Sequence, residues 1–153
     1  MARTAYFDAP LPRVLAHRGL SQHRSDIDEN SLEAFQEAIS HGASHIESDV
    51  HATKDGIAVL FHDEDLRRVA GIDKKISAVS FEELSAISLL NGTRIPSLAQ
   101  GLQLGVRLNL DIKSSAAIEP TVREIEAFQA HERVLVSSFS SARRRKALSM
   151  LSR

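Results

Sequence analysis

Apolar residues along this chain recur in two alternating rhythms. Residues 13–17, with Val14, Leu15 and Ala16, have the length of a short buried strand. Leu32, Phe35, Ala38 and Ile39 then fall three and four apart, the spacing that lines one face of an α-helix. Asn30 is the predicted N-cap of that helix, with Glu33 completing a capping box, and Gly42 stands where a helix C-cap glycine would. Two strands follow at 44–50 and 57–61. Lys54-Asp55-Gly56 joins them, and Asp-Gly is a turn signal strong enough to predict a direct link.

Residues 64–80 lack a clear period and carry a charged turn at Asp73-Lys74-Lys75. Ser80 and Glu83 make a second capping-box pair ahead of the helical Phe81, Leu84 and Ile87. A short helix is predicted from Ile95-Pro96-Ser97-Leu98 to about Gly105, and a cleanly alternating strand over 106–112. Ile118, Val122, Ile125 and Phe128 line the next helix, where Pro120 is tolerated because it lies in the first turn. A strand at 133–138 and a basic helix from Ser140 to Ser152 close the series, with Arg143-Arg144-Arg145-Lys146 as that helix's solvated face. The order β-α-β-β-α-α-β-α-β-α predicts an α/β layer fold with a largely parallel sheet. In such folds chemistry gathers at the carboxyl ends of the strands.

Polar residues fall at those ends repeatedly. Side chains of a strand alternate faces, so Glu47 and Asp49 share one face while Ile46, Ser48 and Val50 take the other. An isolated acidic pair would read equally well as a solvent face. Here, however, His17 and Arg18 end the first strand, His62 the third, and Asp111 and Lys113 the fourth. Glu47, Asp49 and Asp111 are hard oxygen ligands that suit Mg²⁺ or Ca²⁺. Arg18 and Lys113 supply positive charge for a phosphodiester, and His17 and His62 are candidates for general acid and general base near neutral pH. His23, His41, His45, His51 and His131 read as structural hydrogen-bonding residues.

Composition narrows the alternatives. At 153 residues the chain has the size of one domain. It has no cysteine, which excludes disulfides, thiolate metal sites and cysteine nucleophiles. A net charge of −1, no tryptophan and 5% aromatic residues argue against nucleic acid as partner. No apolar stretch approaches the roughly 18–20 residues of a membrane helix. The N-terminus lacks the apolar core of a signal peptide, so a cytoplasmic location is expected.

The segments HRG at 17–19, DENSLEAFQEAISHGASHIESDVHATKDG at 28–56 and VLFHDEDLRR at 59–68 closely resemble the glycerophosphodiester phosphodiesterase family. IPSL at 95–98 and LNLDIK at 108–113 fit the same pattern in the same order, so the resemblance runs from about Val14 to Phe139. It implies a TIM-type (β/α)₈ barrel that uses a divalent cation, Mg²⁺ or Ca²⁺. It also implies hydrolysis of small-molecule glycerophosphodiesters, such as deacylated phospholipids, to an alcohol and glycerol 3-phosphate, within lipid and glycerol metabolism. By the same resemblance His17 and His62 are the acid–base pair, Arg18 and Lys113 contact the phosphate, and Glu47, Asp49 and Asp111 hold the metal. Glu29 and Asn30 match the family's Glu-Asn pair, which orders the loop behind the first histidine.

Two departures stand out. The family usually has glutamate where this chain has Asp111, and one methylene fewer shortens its reach by roughly 1.5 Å. A closed barrel of this type typically needs about 250 residues and seldom fewer than about 200. About five strands are predicted here, so residues 1–153 read as a single domain whose barrel is incomplete at the C-terminus. Three explanations stay open: a shortened enzyme, a half-barrel that closes as a homodimer through open sheet edges, or a non-catalytic relative that binds metal, phosphate or a partner. A related lipid phosphodiesterase is the other enzymatic alternative.

Overall fold

Parallel pairing through helical crossovers organises the chain. The computed structural model describes residues 5–22 and 24–151, so His23 and Ser152 lie outside the described residues. Among these, five strands form one sheet: Leu15–His17 (β1), His45–Ala52 (β2), Ala58–Leu60 (β3), Arg107–Ile112 (β4) and Val134–Ser137 (β5). Six α-helices accompany them: Leu32–Ser40 (α1), Arg67–Ala70 (α2), Phe81–Ser85 (α3), Leu98–Gln103 (α4), Ile118–Ala127 (α5) and Ser141–Leu151 (α6). The parallel order is β1-β2-β4-β5. Crossovers carrying α1 and α5 link β1 to β2 and β4 to β5, as parallel neighbours require. No described helix is long and apolar enough to cross a membrane.

The predicted strands and helices are all present and α2 is an additional short helix within 64–80, with three further corrections. Ser31, not Asn30, caps α1, its hydroxyl accepting from the Ala34 N–H. Asn30 has a left-handed backbone (φ 59°) and turns its amide elsewhere. Second, β3 is antiparallel to β2, with Val50 opposite Leu60. His62 therefore does not leave the sheet at the shared carboxyl edge. Instead the hairpin carries it back along β2, where the Phe61 N–H donates to the Asp49 carbonyl at 2.9 Å. Third, Arg143 is half-buried rather than solvated, its Nε donating to Ser138 Oγ at 3.1 Å.

The sheet has one apolar face and one polar face. Ile46 and Val50 of β2 join Leu108, Leu110 and Ile112 of β4, packed with Phe35, Leu98, Leu102, Ile118 and Ile125 of the helices. Residues 61–95 build a second apolar cluster around Phe61, Leu66, Ile76, Leu84 and Ile95. The short β3 serves both, placing Ala58 and Leu60 in the first and Val59 and Phe61 in the second. A strand buried on both faces reads as an unbroken apolar run, which is why Ile57–Phe61 shows no alternation. Asp28 ties this excursion to the first loop. Its buried carboxylate accepts from the Asn91 and Thr93 N–H groups and from Thr93 Oγ1 at 2.7 Å.

Gly19 sets the approach of the first loop to α1. Its φ is +82°, and a Cβ there would lie 2.7 Å from the backbone carbon of Ala34. Gly19→Ala is expected to lower the unfolding free energy by about 2–3 kcal/mol, through left-handed strain and overpacking. Urea unfolding measures it, and an unchanged midpoint would contradict this close approach.

Candidate active site

Strand register assembles the polar face before any long side chain is considered. Pairing of β1, β2 and β4 puts His17 beside Glu47 and Glu47 beside Asn109. One pleat further, Asp49 lies beside Asp111, and Asp111 beside Ser137 of β5. Registered partners in a sheet share a face, so two carboxylates on adjacent strands are forced together.

Lys113 answers that repulsion. Its Nζ donates to Asp49 Oδ1 at 2.8 Å and to Asp111 Oδ2 at 2.7 Å. Burial works against the ammonium charge, yet the hydrogen bonds to Asp111 and Asp49 outweigh it and hold Lys113 above the usual lysine range. Arg18 closes the other side. It has a left-handed backbone (φ 57°), held by its N–H to the Glu47 carbonyl and its carbonyl to the Asn30 N–H, both at 2.9 Å. Such a conformation costs a non-glycine residue on the order of 1–2 kcal/mol and is retained where surroundings over-determine it. Arg18 Nη1 donates to Glu29 Oε1 at 3.1 Å, and Nε lies 3.4 Å from Asp49 Oδ2 without a hydrogen bond. Asn30 Nδ2 reaches that same Asp49 oxygen at 3.3 Å, while Ser48 donates to Asn30 Oδ1 at 2.7 Å.

Glu47 is the uncompensated member. Burial and then the neighbouring Asp49 charge push its carboxyl up to about 7, despite partial relief from Arg18 and Lys113. His17 Nε2 lies 3.6 Å from Glu47 Oε2, too far for a hydrogen bond, and the His17 side chain is 67% exposed. Glu47 Oε2 and Asp111 Oδ1 are buried oxygens without a donor. Both residues line a cavity of about 320 Å³ with Ser137, Ser138 and Phe139. Two orphaned hard oxygens facing one cavity fit a divalent cation. Among the described residues no three His, Asp or Glu groups form a ready-made cation cage. Asp49 instead faces Lys113, Arg18 and Asn30.

The hairpin supplies the second histidine and a partner for it. His62 Nδ1 lies 2.7 Å from Asp63 Oδ1, an arrangement that leaves Nε2 for a reactant. Arg68 grips Asp63 through Nε at 2.7 Å and Glu29 through Nη2 at 2.5 Å. The ordered chain His62–Asp63–Arg68–Glu29–Arg18–Asp49 thus spans the site. The sequence reading missed Asp63 and Arg68. A carboxylate directly after the predicted histidine was the available signal, whereas the reach of Arg68 to Glu29 depends on tertiary structure. His51 is structural as expected, its ring meeting the His62 carbonyl at 3.1 Å, with burial holding its pKa low. His45 is also structural, bonded to the Tyr6 carbonyl at 3.0 Å. His41 and His131 make local contacts with Glu37 and Glu126.

A largely parallel sheet with helical crossovers, paired acids and two cations on its polar face and two histidines beside it defines an α/β-class protein with a candidate site at its strand ends. The model of the glycerophosphoryl diester phosphodiesterase family matches residues 17–152, and the chain belongs to that family. It is 43% identical over 142 residues to a Mycobacterium tuberculosis protein named probable glycerophosphodiester phosphodiesterase 2, covering 92% of this chain and 53% of that one. A glycerophosphodiester phosphodiesterase of Bacillus altitudinis is 35% identical over 146 residues, covering 84% of this chain and 58% of that one. The chain therefore spans little more than half the length of these relatives. Among solved structures, an Oleispira antarctica phosphodiesterase in complex with the product sn-glycerol-3-phosphate has a TM-score of 0.82 at 29% identity, covering 96% of this chain and 64% of that one. The fold is thus the TIM-type barrel of this family, spanned in part, with four of the five described strands parallel.

Asp63 yields a pH prediction. The hydrogen bond from Arg68, reinforced by His62 and opposed by burial, lowers its carboxyl from 3.8 to about 2. A carboxyl lowered on folding stabilises the folded chain above its unfolded pKa and loses that contribution as pH falls through the folded one. Urea unfolding of the native chain and of Asp63→Asn should differ most above pH 4 and converge toward pH 2. A gap that does not vary with pH would contradict this assignment.

Proposed function

We propose that the protein hydrolyses glycerophosphodiesters to an alcohol and glycerol 3-phosphate with the help of Mg²⁺ or Ca²⁺. The observation that carries this reading is the pair of buried, donor-free oxygens on Glu47 and Asp111 beside Arg18 and Lys113. The names of the relatives and the glycerol phosphate held by the Oleispira protein support it.

In this reading Glu47, Asp49 and Asp111 would hold the cation, Asp49 by exchanging its contacts with Lys113 and Arg18 for the ion. When bound, it supplies positive charge to the non-bridging phosphate oxygens in the transition state. Arg18, whose buried Nε has no acceptor of its own, binds and orients the phosphate together with Lys113. Either His17 or His62 takes a proton from the nucleophile, which is water or the substrate's own glycerol hydroxyl. In the latter case a cyclic phosphate forms first and water then opens it to glycerol 3-phosphate. The other histidine returns a proton to the departing alkoxide, so the P–O bond breaks without releasing a strong base. Asp63 keeps the His62 ring in one orientation for either role. Glu29 and Asn30 are positioning residues, the former bridging Arg18 and Arg68, the latter joining Ser48 to Asp49.

Release of glycerol 3-phosphate from glycerophosphodiesters tests the reading. Activity with Mg²⁺ or Ca²⁺ should vanish in EDTA and fall about 10²–10⁴-fold in His17→Ala and in His62→Ala. Turnover that survives both substitutions would sink the mechanism. Metal binding without any turnover would instead favour a non-catalytic module. The β1 and β5 edges also lack strand partners among the described residues, which supports pairing between copies. Sedimentation would then show a dimer.

A further inference from the structure

A second cavity adjoins the site on the hairpin side and carries a lining that the phosphate chemistry does not use. Its volume is about 600 Å³, and His62 and Lys113 form its inner wall. Ser77, Ser114, Ser115 and Arg143 line the rest of it together with Glu64 and with His51, whose ring is engaged by the His62 carbonyl. Among the described residues the three serine hydroxyls make no hydrogen bond to protein. Arg143 uses only Nε, toward Ser138, and has no carboxylate in ion-pair range. The one carboxylate on the wall, Glu64, is paired with Lys75 at 2.7 Å. No phenyl, phenol or branched aliphatic side chain lines the groove.

That inventory suits one kind of guest. Free hydroxyls and the remaining N–H groups of the Arg143 guanidinium donate to oxygen atoms, and together they match an alcohol bearing several hydroxyl groups. A quaternary ammonium wants an aromatic face instead. The Phe139 ring is not part of the groove's lining and already meets the Lys113 ammonium at 5.6 Å. A choline group would meet two cations and no vacant ring.

We propose that this groove receives the alcohol esterified to the glycerophosphate and selects polyhydroxylated alcohols, such as inositol or glycerol, over choline. The proposal rests on the phosphodiesterase reading above. Arg143 and Ser115 are its central donors, placed by the first turn of α6 and by the short 3₁₀ turn Ser115–Ala117 after β4.

Calorimetric and NMR titration of the full chain with glycerophosphoinositol and glycerophosphocholine, with Mg²⁺ present, tests it without requiring turnover. The inositol diester should bind about tenfold more tightly, the gain expected of one charge-assisted hydrogen bond, and should shift the amides of Ser77, Ser114 and Ser115. Arg143→Gln should reduce that preference to within about threefold, with Arg143→Lys retaining more of it. Ser115→Ala, at an exposed position, should act in the same direction should the arginine variants fold poorly. Equal affinity for the two diesters, or equal weakening of both by Arg143→Gln, would overturn the headgroup assignment alone. Failure of both diesters to bind would overturn the phosphodiesterase reading with it.

Discussion

Two carboxylates held side by side on neighbouring parallel strands are the constraint on which this structure turns. The register that pairs Asp49 with Asp111 belongs to the backbone, so no side-chain rotation can remove it. Burial strengthens the repulsion, because a low-dielectric surrounding screens charge poorly. Lys113 is the local answer, and its ammonium stays charged because both acids hold it. Glu47, one pleat earlier, has no comparable partner and rises to about 7. The polar face is therefore short of positive charge even with Arg18 and Lys113 in place, a deficit that a bound cation would redress.

Around that deficit the chain builds an ordered frame. The first loop takes left-handed backbone at Arg18, Gly19 and Asn30 so that it can fold tightly against α1 and β2. Asn30 tolerates that conformation well and Arg18 poorly. The arginine stays there because its backbone N–H and carbonyl are both engaged. From the other side, the β2–β3 hairpin brings His62 and Asp63, and Arg68 links them to the first loop through Glu29. Two segments far apart in sequence thereby position the two histidines relative to one strand.

Much of this could be read from the sequence, for a physical reason. Strand alternation dictates that Glu47 and Asp49 share a face, and strong turn chemistry at Asp55-Gly56 dictates the hairpin. Register and direction were harder. Nothing in a run such as Ile57–Phe61 says whether it lies parallel or antiparallel, and the double-sided burial of β3 removed the alternation that would have helped. The N-cap of α1 was misplaced by one residue because Asn30 and Ser31 are both good caps. Asn30 is instead drawn away by Ser48 and Asp49, a tertiary demand. Within the excursion over 61–95 the capping box of Ser80 and Glu83 announced α3, whereas α2, only four residues long, is too short to display a period. Arg143 looked like one of four solvated cations, and only the turn into α6 points it back at Ser138.

The central claim is that Glu47 and Asp111 complete their coordination with a divalent cation. Titration calorimetry of Mg²⁺ and Ca²⁺ into the full chain at pH 7.5 tests it most directly, with Glu47→Gln and Asp111→Asn as comparisons. The account predicts one saturable site in the native chain and loss of at least tenfold in affinity in each variant, as expected when a charged oxygen ligand is removed. Absence of binding to the native chain, or equal binding to all three proteins, would contradict it.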